Sequence, residues 1–228
     1  MISIIIPVLN EEATIEDLIK RILTLDPERA VAKEIIVVDG GSSDRTVSLA
    51  SPQATVLTGP RGRGQQCNYG ARQATGDILL FLHADCVPEK DALVDIEQAV
   101  VRGALWGCQR LRFDNRRPLA TLVALCANLR ARWRHIVFGD QGIFIRRDLF
   151  LRLDGFPNLP LMEDYRFSLD MRRQRLKPTL VKSRITTSSR RFDTNGYLST
   201  LLHMYHMRRM YRSGADITRI QALYENVR

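Results

Sequence analysis

The 228-residue sequence lacks the features that mark membrane-spanning, secreted and zinc-binding proteins. No apolar run approaches the roughly 20 residues that a membrane-spanning helix needs. No basic segment with an apolar stretch and a cleavage site opens the chain, as a secretory signal would require. The four cysteines form no Cys-x-x-Cys pair and have no zinc-like spacing. We therefore expect a cytoplasmic protein in a reducing compartment, with membrane contact only at its surface.

Internal repeats and low-complexity linkers are also absent, and the composition is that of a folded protein. Hydrophobic residues make up 45% of the chain and charged residues 26%, which argues against extensive disorder. A chain of this length can bury one good core. We expect one domain over residues 1–190 and a C-terminal helical appendage over residues 191–228.

Negative charge is scarce in the second part of the chain. Residues 1–100 hold 9 Lys and Arg against 15 Asp and Glu, a net charge of −6, whereas residues 101–228 hold 25 against 10, a net charge of +15. This asymmetry favours contact with phosphates, an acidic membrane face or nucleic acid, and it equally fits a solvated basic surface.

Short apolar runs alternate with helical patterns in the first part of the chain. The runs predict strands at residues 2–8, 34–39, 54–58 and 77–83, and helices lie between them at 13–25, 43–50 and 65–74. Strand–helix alternation with short connections predicts an α/β protein with a parallel, doubly wound sheet. In such sheets ligands bind beyond the carboxyl ends of the strands.

The pattern is looser after residue 88. It predicts strands at residues 104–113, 142–146 and 179–187, the last broken near Lys182 and Ser183. It predicts helices at residues 89–102, 118–133, 148–153, 164–175, 196–213 and 216–226.

Four polar clusters follow one another in a fixed order. The first three end predicted strands and the fourth opens a helix after a proline-containing loop: Pro7 to Glu12, Asp39 to Thr46, Leu82 to Asp85, and Glu163-Asp164. The ordered set resembles family 2 glycosyltransferases over about residues 1–190. The closest likeness is to short, soluble members with a Leu-His-Ala-Asp strand end and a Thr-Thr-Ser-x-Arg-Arg segment, matched here at residues 186–191.

The resemblance implies a GT-A fold, with a Rossmann-like, mostly parallel central sheet flanked by helices. Residues 1–100 would form the nucleotide-binding half and residues 101–190 the acceptor half. It further implies an inverting transfer of a sugar from a nucleotide diphosphate donor, UDP being favoured, to an unidentified acceptor. That acceptor is a sugar, a lipid-linked molecule or another small molecule.

Asp39 is the first candidate site residue. A carboxylate that ends a buried strand can accept a hydrogen bond from a base N–H, and the resemblance implies that Asp39 reads the uracil-like edge. Gly41 lets the backbone approach a ligand closely. The same residues also fit a tight turn with a helix cap.

Asp85 is the candidate metal ligand. A nucleotide diphosphate leaves with negative charge that Mg²⁺ or Mn²⁺, held by carboxylate oxygens, would neutralise. The family pattern is Asp-x-Asp, whereas here His83 stands in the first position. His83 either touches the donor or is merely packed and hydrogen-bonded.

Asp164 is the candidate general base, with Glu163 as its support. Inverting transfer needs a base that removes the acceptor hydroxyl proton during attack, and the resemblance assigns this to the Asp of such a Glu-Asp pair. Two acids at a helix start also suit the helix dipole, and the pair could instead contact the acceptor.

The other candidates would contact the donor or the acceptor. Arg61, Gly62 and Asn68 resemble a segment that closes over the diphosphate or base. Gln141 would contact a hydroxyl. The remaining donor-binding candidates are Pro7, Asn10, Glu11, Ala84, Arg190 and Arg191.

Two other functions fit parts of the sequence. A sugar nucleotidyltransferase would carry a Gly-rich signature with Lys or Arg directly after the first strand, where this chain has Asn10-Glu11-Glu12. A basic nucleic-acid-binding protein would interleave aromatic residues with its charges, so we expect no nucleic-acid partner. The Gln-x-x-Arg-Trp motif of processive polymerases is absent, which favours single-sugar transfer. The C-terminal helices fit core packing, a homodimer contact or a membrane-facing surface.

Overall fold

The computed structural model describes residues 1–26, 31–115 and 117–225. Their eight strands form one sheet with the order β3-β2-β1-β4-β7-β6-β8-β5. The strands are β1 (Ile2–Val8), β2 (Lys33–Asp39), β3 (Thr55–Thr58), β4 (Ile78–Phe81), β5 (Cys86–Pro88), β6 (Trp106–Phe113), β7 (Ile143–Arg146) and β8 (Thr179–Thr187).

The first four-strand part of the sheet is parallel, as the sequence predicts. β1 lies between β2 and β4, and β2 pairs with β3, all in parallel. β1 is apolar on both faces because Ile4 and Ile6 pack into one core cluster while Ile5 packs into the other. All three side chains are fully buried.

The second part of the sheet is mixed rather than parallel. β7 runs antiparallel to both β4 and β6, β6 pairs in parallel with β8, and β8 pairs antiparallel with β5. Strand–helix alternation does not fix the direction of a strand that is added beside β4, so the pattern alone misses this reversal. The three-residue strand β5 ends at Pro88, a residue that sheets accept at an edge.

β8 is one strand whose pairing is interrupted where the sequence predicts a break. Cys108 pairs with Leu180 and Arg110 with Arg184, so β8 has extra residues between the two pairs. Within this irregular stretch, the Ser183 backbone N–H donates to Asp95 Oδ2 at 2.6 Å.

Helices cover both faces of the sheet. They are α1 (Ile15–Leu23), α2 (Thr46–Ala50), α3 (Arg63–Gln73), α4 (Ala92–Val101), α5 (Pro118–Leu129), α6 (Arg147–Arg152), α7 (Glu163–Arg173), α8 (Arg190–Asn195), α9 (Tyr197–Arg212) and α10 (Ile217–Glu225). One core cluster packs α1, α4 and α5 against the sheet, and the other packs α3, α6 and α7.

The predicted helices are found with shifted ends. The predicted helix at 118–133 is α5 followed by a π-helical turn, Arg130–Arg134. Residue 226 of the last predicted helix, and residues 226–228 of the predicted appendage, lie outside the described residues. In the described ranges, every helix is too short or too polar to cross a bilayer.

Candidate active site

A cleft of about 550 Å³ opens where β1 and β4 end, between the start of α7 and the helices α8–α10. Nine of the predicted site residues line it. They are Pro7, Glu11, His83, Ala84, Asp85, Glu163, Asp164, Arg190 and Arg191.

Asp39 lies at the end of β2, and its side chain stabilises the turn that follows it. Its buried carboxylate accepts hydrogen bonds from the Gly41 N–H at 3.0 Å and the Ser42 N–H at 3.1 Å. Asn10 is tied to the same turn, because its backbone N–H donates to Ser42 Oγ at 2.8 Å. These contacts are those of the tight turn that the sequence also fits, and Asn10, Asp39 and Gly41 are not among the residues that line the cleft.

Gln66 joins the ends of β1 and β2, a role that sequence reasoning missed. Its buried side-chain amide donates to the carbonyl oxygens of Val8 at 2.9 Å and Val38 at 2.7 Å. A Cβ on Gly40 would approach Gln66 Nε2 to 3.1 Å, so the small residue at this turn leaves space for the bridge. Its position two residues after the Arg63-Gly64 pair gave no signal of this contact.

His83, Asp85 and Cys86 bring three potential metal-ligating atoms within 4.8 Å of one another. Burial raises the pKa of the Cys86 thiol well above its usual range, and the charge of Asp85 adds to this effect. Mg²⁺ and Mn²⁺ prefer oxygen ligands to soft sulfur, so the Cys86 thiol is a poor ligand for them. Asp85 is exposed and offers the hard carboxylate oxygen that Mg²⁺ or Mn²⁺ prefers.

Asp140 adds a second carboxylate, which the sequence analysis did not select. Its Oδ1 is buried and has no hydrogen-bond partner among the described residues. Burial raises the pKa of Asp140 to about 6 against the opposing charge of Arg130, and Asp164 and Asp85 raise it further. Asp140 and Asp85 both line the cleft, and each offers the carboxylate oxygen that a hard divalent cation prefers.

The Glu163-Asp164 pair opens α7, after Met162 in a left-handed conformation with φ 66°. Asp164 Oδ2 accepts a hydrogen bond from the Gly139 N–H at 2.8 Å. A Cβ at position 139 would lie 2.4 Å from His83 Nε2. Only glycine therefore fits at this position, between His83 and Asp164.

Glu163 is buried and faces Arg63. Arg63 NH1 lies 3.6 Å from Glu163 Oε1. Burial and then the neighbouring Asp164 raise the pKa of Glu163 to about 7, while Arg63 opposes the rise. Arg63 also lines the cleft. The sequence feature that could have identified Arg63 as a site residue is its position in the Arg61-Gly62-Arg63-Gly64 segment.

Besides Asn10, Asp39 and Gly41, four further predicted residues lie outside the set that lines the cleft. Arg61 and Gly62 precede α3. Both amide atoms of Asn68 bond the backbone of Phe156, at 2.7 and 2.8 Å. Gln141 is fully buried and accepts a hydrogen bond from Arg130 at 2.9 Å.

The C-terminal helices complete the cleft wall. Arg191 lies over the Tyr224 ring, with Cζ 4.5 Å from its centroid. Two buried N–H-bearing nitrogens of Arg191, Nε and NH2, have no acceptor among the described residues. His203 and Met207 of α9 line the same wall.

The chain matches known proteins in sequence and in structure. It is 31% identical over 122 residues to the poly-β-1,6-N-acetyl-D-glucosamine synthase of Staphylococcus aureus strain COL, covering 49% of this chain and 29% of that protein. It is 36% identical over 93 residues to the undecaprenyl-phosphate 4-deoxy-4-formamido-L-arabinose transferase of Pectobacterium carotovorum, covering 37% and 28%. The chain thus spans less than a third of the length of these curated relatives.

Solved structures share the fold at lower identity. The mannosyltransferase PcManGT of Pyrobaculum calidifontis, in complex with GDP-Man and Mn²⁺, superposes with a TM-score of 0.64 at 23% identity, covering 91% of this chain and 60% of that one. The glucosyl-3-phosphoglycerate synthase of Mycobacterium tuberculosis, in complex with Mn²⁺ and UDP, gives 0.63 at 21% identity, covering 95% and 81%. The fold is therefore GT-A, as the sequence predicts.

The family assignment follows from a sequence match over more than half of the chain. The pattern of glycosyl transferase family 2 covers residues 3–147 and includes three of the four polar clusters. The chain belongs to glycosyl transferase family 2.

Proposed function

We propose that this protein is an inverting, non-processive glycosyltransferase that takes a sugar from a UDP-sugar. The observation that carries the proposal is the shared cleft. One cleft is lined by Asp164, whose carboxylate is held by a backbone N–H, by a second acidic residue, Asp85, and by the arginines of α8. Family membership leaves the nucleotidyltransferase and nucleic-acid-binding alternatives without support.

Asp164 would act as the general base. Its carboxylate would take the proton from the acceptor hydroxyl as that oxygen attacks the anomeric carbon, while the bond from this carbon to the diphosphate breaks. The Gly139 N–H would hold the carboxylate in place, and buried Glu163 would support it. One displacement from the face opposite the leaving group inverts the anomeric configuration.

Arg190 and Arg191 would bind the donor diphosphate. The N–H groups of Arg191 that lack an acceptor match the geometry of phosphate oxygens. Asp85, with Asp140 in the same cleft, would hold Mg²⁺ or Mn²⁺, which neutralises charge on the leaving diphosphate when bound. The UDP and Mn²⁺ in the synthase structure, and the GDP-Man and Mn²⁺ in the mannosyltransferase structure, support this donor chemistry.

The base-reading role of Asp39 is retained as part of the proposal, because Asp39 stands at the carboxyl end of β2 beside the cleft-lining end of β1. A lipid-linked acceptor is one candidate class, in line with the undecaprenyl-phosphate transferase relative.

A donor screen tests the proposal. The protein is incubated with UDP-sugars and Mn²⁺ and an acceptor mixture, and the release of UDP and the anomeric configuration of the product are followed by NMR. We expect UDP release from one sugar and an inverted product. Retained configuration would contradict the inverting assignment, and no consumption of any nucleotide sugar would contradict the transferase assignment.

A further inference from the structure

Two helices, α5 and α9, leave large apolar side chains in contact with water. On α5 and the π-helical turn after it, Leu119, Leu122 and Leu125 are each more than half exposed and Trp133 is 70% exposed. On α9, Leu198 is 71% exposed. Its exposed neighbours on the same helix are Leu201, Leu202 and Tyr205.

These exposed apolar side chains lie in stripes along the helices and are not scattered over the surface. Leu198, Leu201, Leu202 and Tyr205 follow the three- and four-residue spacing of one helix face. The opposite face of α9 carries Met207, which is buried and lines the cleft. The exposed stripe of α9 is therefore not needed to pack the helix on the core.

The two helices are neighbours at both ends. At one end, Arg117 NH1 lies 2.8 Å from Asp193 Oδ1, just before α9. At the other end, the guanidinium carbons of Arg130 and Arg208 lie 4.2 and 5.8 Å from the centroid of the same Phe138 ring. We call the exposed residues of α5, the π-helical turn and α9 the α5–α9 surface.

The charge around this surface has one sign. Residues 117–138 and 194–215 contain no Asp or Glu. Five of their arginines are exposed. Arg117 pairs with Asp193, and the other four are Arg132, Arg134, Arg209 and Arg212. A surface that is apolar and basic, with an exposed tryptophan, has the composition of helices that lie in the membrane interface.

We propose that the α5–α9 surface docks on an anionic lipid bilayer. The leucines and Trp133 would enter the boundary between headgroups and acyl chains, and the arginines would contact anionic headgroups. A second copy of the chain is a poorer partner, because a two-fold contact through this surface would bring its arginines together without acids to pair with them.

Vesicle flotation with the full chain tests this proposal. The probes are vesicles of phosphatidylcholine alone and vesicles of phosphatidylcholine and phosphatidylglycerol in equal parts. We expect flotation with the anionic vesicles only, weakened by salt. The double variant Trp133→Ser/Leu202→Ser should lose flotation, and Arg132→Gln and Arg209→Gln should each lower partitioning about fivefold.

Val101→Ser is the matched control, because Val101 is an apolar residue on α4 that is 81% exposed and lies outside the α5–α9 surface. It should float like the unchanged protein. Equal flotation of all variants, or no flotation of the unchanged protein, would overturn the proposal. A dimer in light scattering that the Trp133/Leu202 variant abolishes, without vesicle binding, would also overturn it in favour of a second copy. Vesicle binding needs no donor, so this result is independent of the transferase assignment.

Discussion

Asp164 combines two properties that a general base needs. It lines the cleft, and a backbone N–H from Gly139 fixes one of its oxygens at 2.8 Å. The other oxygen accepts from the Tyr165 N–H at 2.6 Å. The amide of Asp164→Asn has one acceptor oxygen and can accept from only one of these two N–H groups, so the stability of the variant is measured together with its activity.

Asp164→Asn should bind UDP normally and transfer sugar about 10²–10⁴-fold more slowly, because the amide cannot take the acceptor proton. Transfer rate and UDP affinity are measured on the same preparation. Asp170→Asn, which alters an acid on the outer part of α7, is the control and should transfer at the normal rate. Normal turnover of Asp164→Asn would disprove the general-base role.

Glu163 should make the free energy of unfolding fall as the pH rises from about 4.5 to about 7. In this window the unfolded carboxyl group has released its proton while the folded one, whose pKa is raised by burial, still holds it. The native state then binds more protons, so raising the pH destabilises it.

Chemical denaturation across this pH range should show a shallower fall for Glu163→Gln than for the unchanged protein. Asp17→Asn, which alters an exposed carboxylate on α1, provides the comparison. If Glu163→Gln and the unchanged protein lose stability in parallel, the carboxyl group of Glu163 does not titrate as described.

At the residue scale, sequence reasoning works best where chemistry follows directly from strand ends. It selects His83, Asp85 and Asp164, all of which line the cleft. It does not select Asp140 or Arg63, whose importance depends on burial and on charges that approach from distant segments. The distances between these charged groups are set by the fold. No spacing of residues in the sequence indicates them.

At the element scale, α3 holds the loop that precedes the Glu163-Asp164 pair. Asn68 on α3 donates to the Phe156 carbonyl oxygen at 2.7 Å and accepts from the Phe156 N–H at 2.8 Å. A Cβ on Gly155 would lie 2.3 Å from Asn68 Oδ1, so glycine is required beside this contact. The pairing connects two segments that are far apart in the chain.

Asn68→Ala should lower the free energy of unfolding by about 1–3 kcal/mol, because it leaves backbone groups of Phe156 without their partners. Thermal or urea unfolding measures the loss. Gln73→Ala, at an exposed position at the end of the same helix, should change stability little. Loss of UDP affinity in folded Asn68→Ala, with unchanged stability, would instead support the donor contact that the sequence suggests.

Elements differ in how far the sequence predicts them. β1, β2 and α1 carry strong periodic patterns and appear nearly as predicted. The direction of β7 was not predictable, because an antiparallel strand beside β4 has the same apolar pattern as a parallel one. β5 was missed because its three residues are too few to show a period.

At the scale of the whole molecule, the uneven charge corresponds to two surfaces. Glu11 and Asp85, which follow β1 and β4, line the cleft. The basic second part supplies Arg190 and Arg191 to the cleft and the exposed arginines to the α5–α9 surface. The predicted boundary at residue 190 therefore cuts through the cleft wall, since residues on α8 and α9 line it. The packing of α8 and α9 beside the cleft depends on tertiary contacts, and periodicity in the sequence does not reveal such contacts.

The central claim is that the cleft binds a nucleotide diphosphate with the help of a divalent cation at Asp85. Isothermal titration of UDP into the protein, with Mn²⁺ and with a chelator instead, tests it most directly. Asp85→Asn is compared with Asp77→Asn, which changes an exposed carboxylate just before the opposite end of β4.

We predict that Mn²⁺ tightens UDP binding roughly tenfold or more in the unchanged protein and in Asp77→Asn. Asp85→Asn should bind UDP with the same weak affinity in both conditions. The account would be contradicted if UDP failed to bind in any condition, or if Asp85→Asn kept the full effect of Mn²⁺.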